Sequence, residues 1–419
     1  MEIGNRGRLG LIVAVVLVSI ALAGAWLGLF GDGFRFGQED LSEDEPPGDE
    51  PDPVEALVAG MTLDEKIGQL FMLGFRGTSV GDELRELVQE SRVGGIIIFP
   101  DNIVSADQLV KLTNGIKALN EEGAVPLLFA VDQEGGRVSR LPPEATTFPR
   151  ALAVGTAGST AMASDIGKAM GEELLALGIN LDLAPVLDVN NNPNNPVIGD
   201  RSFGDDPEVV REIGIATMKG LQSAGVVTAV KHFPGHGDTS VDSHVGLPMV
   251  PHGRQRLDSV EFVPFKAAIE AGADIVMSAH IVFPALDDSG RPATLSKPIL
   301  TGILREEFGF DGVVMTDSLS MGAITQNFTL EEAVLGALDA GADVLLFPAG
   351  RQAQVEAIDI LKAAVADGRV PEARIEESVT RIVRLKLRYE LEDAPVDLDE
   401  ALEVLNRSWH RQVVEAISR

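Results

Sequence analysis

The sequence predicts an α/β chain built as a single (β/α)8 barrel of the TIM type. Three observations predict it. Eight short, almost continuous apolar runs alternate with amphipathic segments between residues 70 and 347, the pattern of parallel strands buried on both faces. The count of eight matches a closed barrel. Polar residues able to do chemistry follow at least five different runs: Asp132 the third, Arg201 the long loop after the fourth, Lys231 the fifth, His280 the sixth and Asp317 the seventh. An open doubly wound sheet shows the same alternation but gathers its ligands at one switch point.

Residues 1–8 form a short stub carrying Arg6 and Arg8. The next segment, Leu9 to Phe30, is uncharged and largely apolar, long enough at about 1.5 Å per residue to cross a hydrocarbon core of about 30 Å. Bases precede it and acids dominate after it, so the positive-inside rule leaves the N-terminus in the cytoplasm and the remainder outside. Ala21-Leu22-Ala23 has the small-x-small form of a signal-peptide cleavage site, but the apolar run continues through Trp26 to Phe30, which favours a retained anchor. The expected location is therefore extracytoplasmic, tethered to the membrane, or secreted if the segment is cleaved.

Residues 31–53 read as a linker. Within Gly37 to Glu55 there are nine acids, no bases and four prolines, too little apolar surface to bury a core. The chain has no cysteine, which excludes a lipid-modified cysteine and any disulfide. Its formal net charge is −30, which argues against nucleic acid or anionic lipid as a partner and reads as a solvated acidic surface. No cofactor is indicated, and the expected state is a monomer.

The barrel is expected over residues 54–395. Its candidate strands are Leu70 to Leu73, Gly95 to Phe99, Leu127 to Val131, Ile179 to Leu183, Val226 to Val230, Ile275 to Ser278, Gly312 to Met315 and Val344 to Phe347. Helical spacing of apolar residues marks Ala106 to Leu119, Ala161 to Leu177, Glu208 to Ser223, Ser259 to Ala271 and Leu330 to Ala340. Residues 396–419 read as a further helix.

Chemistry is densest from Lys231 to His244, where three of the six histidines stand with Asp238, Asp242 and Lys231. The preceding apolar run places this stretch in a Gly/Pro-rich loop at a strand's C-terminal end, where α/β barrels put working groups. The stretch Lys231-His232-Phe233-Pro234-Gly235-His236-Gly237-Asp238-Thr239 through His244 resembles the signature of family 3 glycoside hydrolases of the β-N-acetylhexosaminidase branch, the NagZ-like enzymes. Three more segments support the resemblance in family order: Val131 to Val138, Gly199 to Gly204 and Val314 to Met321. It covers roughly residues 54 to 390.

The resemblance implies a retaining exo-β-N-acetylglucosaminidase acting on N-acetylglucosamine-terminated glycans, peptidoglycan fragments among them. It implies Asp317 as nucleophile and His244 as general acid/base oriented by Asp242. The residue types suit these roles: a carboxylate at a strand end can be held at attack distance, and an imidazole beside a carboxylate can give and take a proton near neutrality. It further implies sugar binding by Asp132, Arg140, Arg201, Lys231 and His232, whose charged donors and acceptors suit convergent hydroxyl contacts. Glu134, His236 and Asp238 are read as groups that order the loop, and His280 as a residue lining the barrel mouth.

Other readings remain open on the residues alone. His232, His236, Asp238 and His244 could form a metal set, although no histidine pair sits at helical spacing and Pro234 makes the loop irregular. The same fold could serve a sugar-binding protein without activity, but such a protein needs no nucleophile. A β-glucosidase of the same family is the nearest alternative, and the histidine-bearing loop speaks against it.

Overall fold

The computed structural model describes residues 52–417, so the apolar run Leu9 to Phe30 and nearly all of the acidic linker lie outside the described residues. Among the described residues no helix is long and apolar enough to cross a membrane. The eight strands are β1 (Phe71–Leu73), β2 (Gly95–Ile97), β3 (Leu128–Val131), β4 (Leu181–Asp182), β5 (Val227–Phe233), β6 (Ile275–Ser278), β7 (Val313–Thr316) and β8 (Leu345–Phe347). Each lies within or beside its expected run. They pair in parallel in the order β7-β6-β5-β4-β3-β2-β1-β8. Between β7 and β8 a parallel bridge joins Met315 to Val344, and Thr316 N donates to Val344 O at 2.9 Å. The result is a nearly closed parallel barrel whose strands are buried throughout.

Local signals fix where the flanking helices begin. Ser105 caps helix Ala106–Leu119, its hydroxyl accepting from Gln108 N at 3.2 Å, and one apolar face of that helix is buried. Thr329 and Glu332 form a reciprocal capping box on helix Leu330–Ala340, which ends at Gly341 with φ 116°, a left-handed conformation that glycine adopts without a Cβ clash. Both helices keep their expected bounds. The helix expected from Ser259 starts instead at Phe262, because Val260 leaves helical backbone at φ −134° and closes the preceding short helix Arg254–Ser259.

Two further expectations change. Strand β5, expected over Val226 to Val230, runs from Val227 on to Phe233 with all seven residues buried. Lys231 and His232 therefore sit on the strand, not in the loop after it, and the peptide between them is cis. The 396–419 tail is not one helix: helices Leu398–Val404 and Ser408–Ile417 are separated at Asn406, whose φ is 51°. Tertiary contacts account for the break. Asn406 N donates to Glu173 Oε1 at 2.8 Å, and buried His410 places Nδ1 2.8 Å from the same oxygen, so both short helices are drawn onto helix Thr160–Ala176.

Candidate active site

At the C-terminal ends of the strands lies an open cavity of about 520 Å3, and all eight residues singled out from the sequence line it: Asp132, Arg140, Arg201, Lys231, His232, Asp242, His244 and Asp317. They come from the ends of β3, β5 and β7 and from the loops after β3, β4 and β5. Parallel strands all point their C-terminal ends the same way, so residues spread over 186 positions meet in one place.

The floor is ionic. Lys231 Nζ stands 2.6 Å from Asp132 Oδ1 and 2.8 Å from Glu134 Oε1, and Arg201 grips Glu134 in a bidentate pair with both N–O distances at 2.7 Å. Burial works against the Glu134 charge, but Lys231 and Arg201 outweigh it and hold the carboxyl well below the usual carboxylate range. Burial likewise lowers the Lys231 ammonium, and Asp132 with Glu134 raise it further, leaving it charged. Two carboxylates thus balance two cations. Arg140 adds a third cation, and its Nε is buried with no hydrogen-bond partner among the described residues.

His232 is oriented by Asp188, whose Oδ2 lies 2.7 Å from Nδ1. The same carboxylate accepts from the backbone N–H groups of His232 at 3.2 Å and His236 at 2.7 Å. Because Nδ1 is engaged, Nε2 is the ring nitrogen available to the cavity. Asp188 was not recognised in the sequence; an acid inside the apolar stretch Val186-Leu187-Asp188-Val189 just past β4 was the available signal.

Asp317 follows β7 directly and accepts from Ser318 N at 2.7 Å. Burial pushes the Asp317 carboxyl up, yet His280, His232, the Ser318 N–H and Lys231 together hold it below the ordinary carboxylate value. Burial pushes the His280 imidazole itself down. Asp242 Oδ1 accepts from His244 N at 2.8 Å and lies 2.7 Å from His244 Nδ1. Burial raises the Asp242 carboxyl, but these bonds to His244 bring it below its usual value. Because Nδ1 is engaged, Nε2 is the ring nitrogen that exposed His244 leaves without a partner among the described residues.

The remaining residues are placed as follows. His236 is buried between Thr239 Oγ1 at 2.8 Å and Ser243 Oγ at 3.1 Å, which matches a loop-ordering role. Glu134 does more than order a loop, since it neutralises Lys231 and Arg201 at the cavity floor. His280 does not line the mouth: it is fully buried, with Nδ1 2.8 Å from Thr294 Oγ1 and Nε2 2.9 Å from Ser318 O, and so braces the Asp317 turn from below. The rival metal set of His232, His236, Asp238 and His244 is not assembled. Asp188, Thr239 and Ser243 occupy ring nitrogens of the first two histidines, and Asp238 bonds to His252 instead.

Comparison with known proteins agrees with this architecture. The glycosyl hydrolase family 3 N-terminal domain matches residues 62–385. A curated relative named beta-hexosaminidase A, from Pseudoalteromonas piscicida, is 37% identical over 392 residues, which cover 84% of this chain and 65% of the relative. The chain thus spans just under two thirds of that protein's length. Among solved structures, a family 3 β-N-acetylglucosaminidase from Paenibacillus sp. str. FPU-7 superposes with a TM-score of 0.81 at 44% identity, covering 85% of this chain and 68% of that one. A β-N-acetylhexosaminidase from Beutenbergia cavernae DSM 12333 gives 0.74 at 31% identity, covering 78% and 99%. The chain belongs to glycosyl hydrolase family 3, in its β-N-acetylhexosaminidase branch.

Proposed function

We propose that the protein is a retaining exo-β-N-acetylglucosaminidase that removes terminal N-acetylglucosamine through a covalent glycosyl-enzyme. The observation that carries this reading is that Asp317 and the Asp242–His244 pair open onto the same cavity as the charged floor. The Asp317 carboxylate attacks the anomeric carbon while His244 Nε2 protonates the departing oxygen; His244 then takes a proton from a water whose oxygen bonds to the anomeric carbon as the bond to Asp317 breaks, which frees the carboxylate and releases the sugar with its configuration retained. Asp242, bonded at Nδ1, fixes the ring's tautomer and supports its cationic form. Asp132, Arg140, Arg201, Lys231 and His232 bind the sugar hydroxyls.

Peptidoglycan fragments ending in N-acetylglucosamine are the proposed natural substrates. The apolar run Leu9 to Phe30, with bases before it and acids after it, supports that choice, because an enzyme tethered outside the membrane by it works beside the cell wall; the proposed state is a monomer. Hydrolysis of an aryl β-N-acetylglucosaminide, compared with an aryl β-glucoside and run with and without phosphate, tests the activity. Preference for the glucoside would instead make the protein a β-glucosidase, and dependence on phosphate would make it a phosphorylase.

A further inference from the structure

The 234–253 loop that carries Asp242 and His244 is gripped at both ends by side chains outside the cavity. Asp238 near its start and His252 at its end are joined by a hydrogen bond between Oδ2 and Nε2. Glu261, immediately before helix Phe262–Glu270, completes the group, and the three ligand-capable atoms all lie within 4.8 Å of one another. None of the three residues lines the cavity.

Glu261 is the member that a loop brace does not explain. It is only 3% exposed. Its Oε1 is met by Asn191 Nδ2 at 3.2 Å and Arg256 Nη2 at 3.4 Å, while its Oε2 is buried with no hydrogen-bond partner among the described residues. Asn191 Oδ1 is buried and unpartnered as well. Buried carboxylate and amide oxygens are satisfied in nearly all proteins, and a cation is one way to satisfy them.

We propose that Asp238, His252 and Glu261 bind one divalent cation of the zinc class, which clasps the two ends of the loop and so positions Asp242 and His244. An imidazole with two carboxylates is a donor set that zinc accepts, with water or an amide oxygen in the fourth position. Bonds of about 2.0–2.2 Å to a tetrahedral ion set its donors roughly 3–4 Å apart. Asp238 and His252 are partly exposed, at 25% and 32%, and reach such an ion by small side-chain rotations that replace their mutual hydrogen bond. The buried Glu261 supplies the fixed anchor.

The test reads bound metal and does not depend on the proposed glycosidase activity. Full-length protein is stripped with a chelator, exposed to zinc chloride or, as a control, magnesium chloride, then dialysed and analysed for metal. Wild-type protein should retain roughly one zinc per chain, and its melting temperature should rise with zinc concentration, as for any ion that binds only the folded state. His244→Ala should retain zinc equally. Glu261→Gln and His252→Ala should weaken retention roughly tenfold or more, with circular dichroism confirming that each is folded; His252, being partly exposed, is the safer of the two. Wild-type protein that keeps no zinc, or that melts independently of it, would overturn the proposal. Retention lost in His244→Ala but kept in the other two variants would also overturn it, because the ion would then belong to the cavity.

Discussion

Lys231 and Glu134 form an ion pair at 2.8 Å, with their side chains only 2% and 3% exposed. It links strand β5 to the loop after β3, and Arg201 closes on the same carboxylate from the loop after β4. Removing one partner of a buried pair leaves an uncompensated charge, so Glu134→Gln should destabilise the barrel by about 3–5 kcal/mol. Urea denaturation at neutral pH measures it. The Glu134 carboxyl is held below its unfolded value, so its contribution is complete above the ordinary carboxylate range and is lost as pH falls toward the lowered folded value. The gap between wild type and variant should therefore close in acid. An equal gap at every pH would assign the loss to packing.

Asp317→Asn should abolish turnover and leave the fold intact, since it removes a charge but almost no volume. Circular dichroism and steady-state kinetics check the two halves. Activity within about tenfold of wild type, a barrier change of only about 1.4 kcal/mol, would show that Asp317 is not the nucleophile.

His244→Ala should slow turnover roughly 10²–10⁴-fold on a substrate with a poor leaving group. An activated aryl glycoside needs little acid assistance in the first step, so the variant should accumulate a glycosyl-enzyme and show a burst. The absence of both a burst and a slowed second step would remove His244 from the acid/base role.

Burial, with His232 alongside, pushes the His236 imidazole down to about 4. The unfolded chain binds this proton near the ordinary histidine value and the folded chain does not. Stability should therefore fall with acidification between about pH 6.5 and 4, by up to about 1.4 kcal/mol per pH unit from this group alone. His236→Asn should flatten that part of the profile in denaturation experiments across the range. An unchanged slope would mean that His236 does not titrate in this window.

Removing residues 1–51 should leave a soluble, active enzyme. The cut must spare Asp52, whose side chain accepts from Val54 N at 3.0 Å and caps helix Pro53–Gly60, and Val54 and Val58 of that helix are buried. Cutting at 53, the expected end of the linker, would take the cap away and should cost about 1 kcal/mol. Full-length protein should stay with the membrane and be open to external protease in intact cells. Protection from that protease would reverse the topology.

The strands were legible because a parallel barrel strand is buried on both faces and so leaves a largely apolar run such as Val313-Val314-Met315. Helix Ala106–Leu119 was legible to the residue because Ser105 supplies a local cap. Asp317, Asp242 and His244 stood out because they lie in motifs that resemble a known family, and each is bonded to a neighbour no more than two positions away. What stayed hidden depends on distant partners. Glu134 looks like an ordinary loop acid until Arg201, 67 residues on, and Lys231 meet it. The work of Asp188 appears only when His232 arrives 44 residues later, and the tail breaks at Asn406 because Glu173, 233 residues away, captures its N–H. Local sequence determines how the backbone pairs and where its helices start. Which charges become buried together, and hence which stay ionised, is decided only when the barrel closes and excludes water from between them.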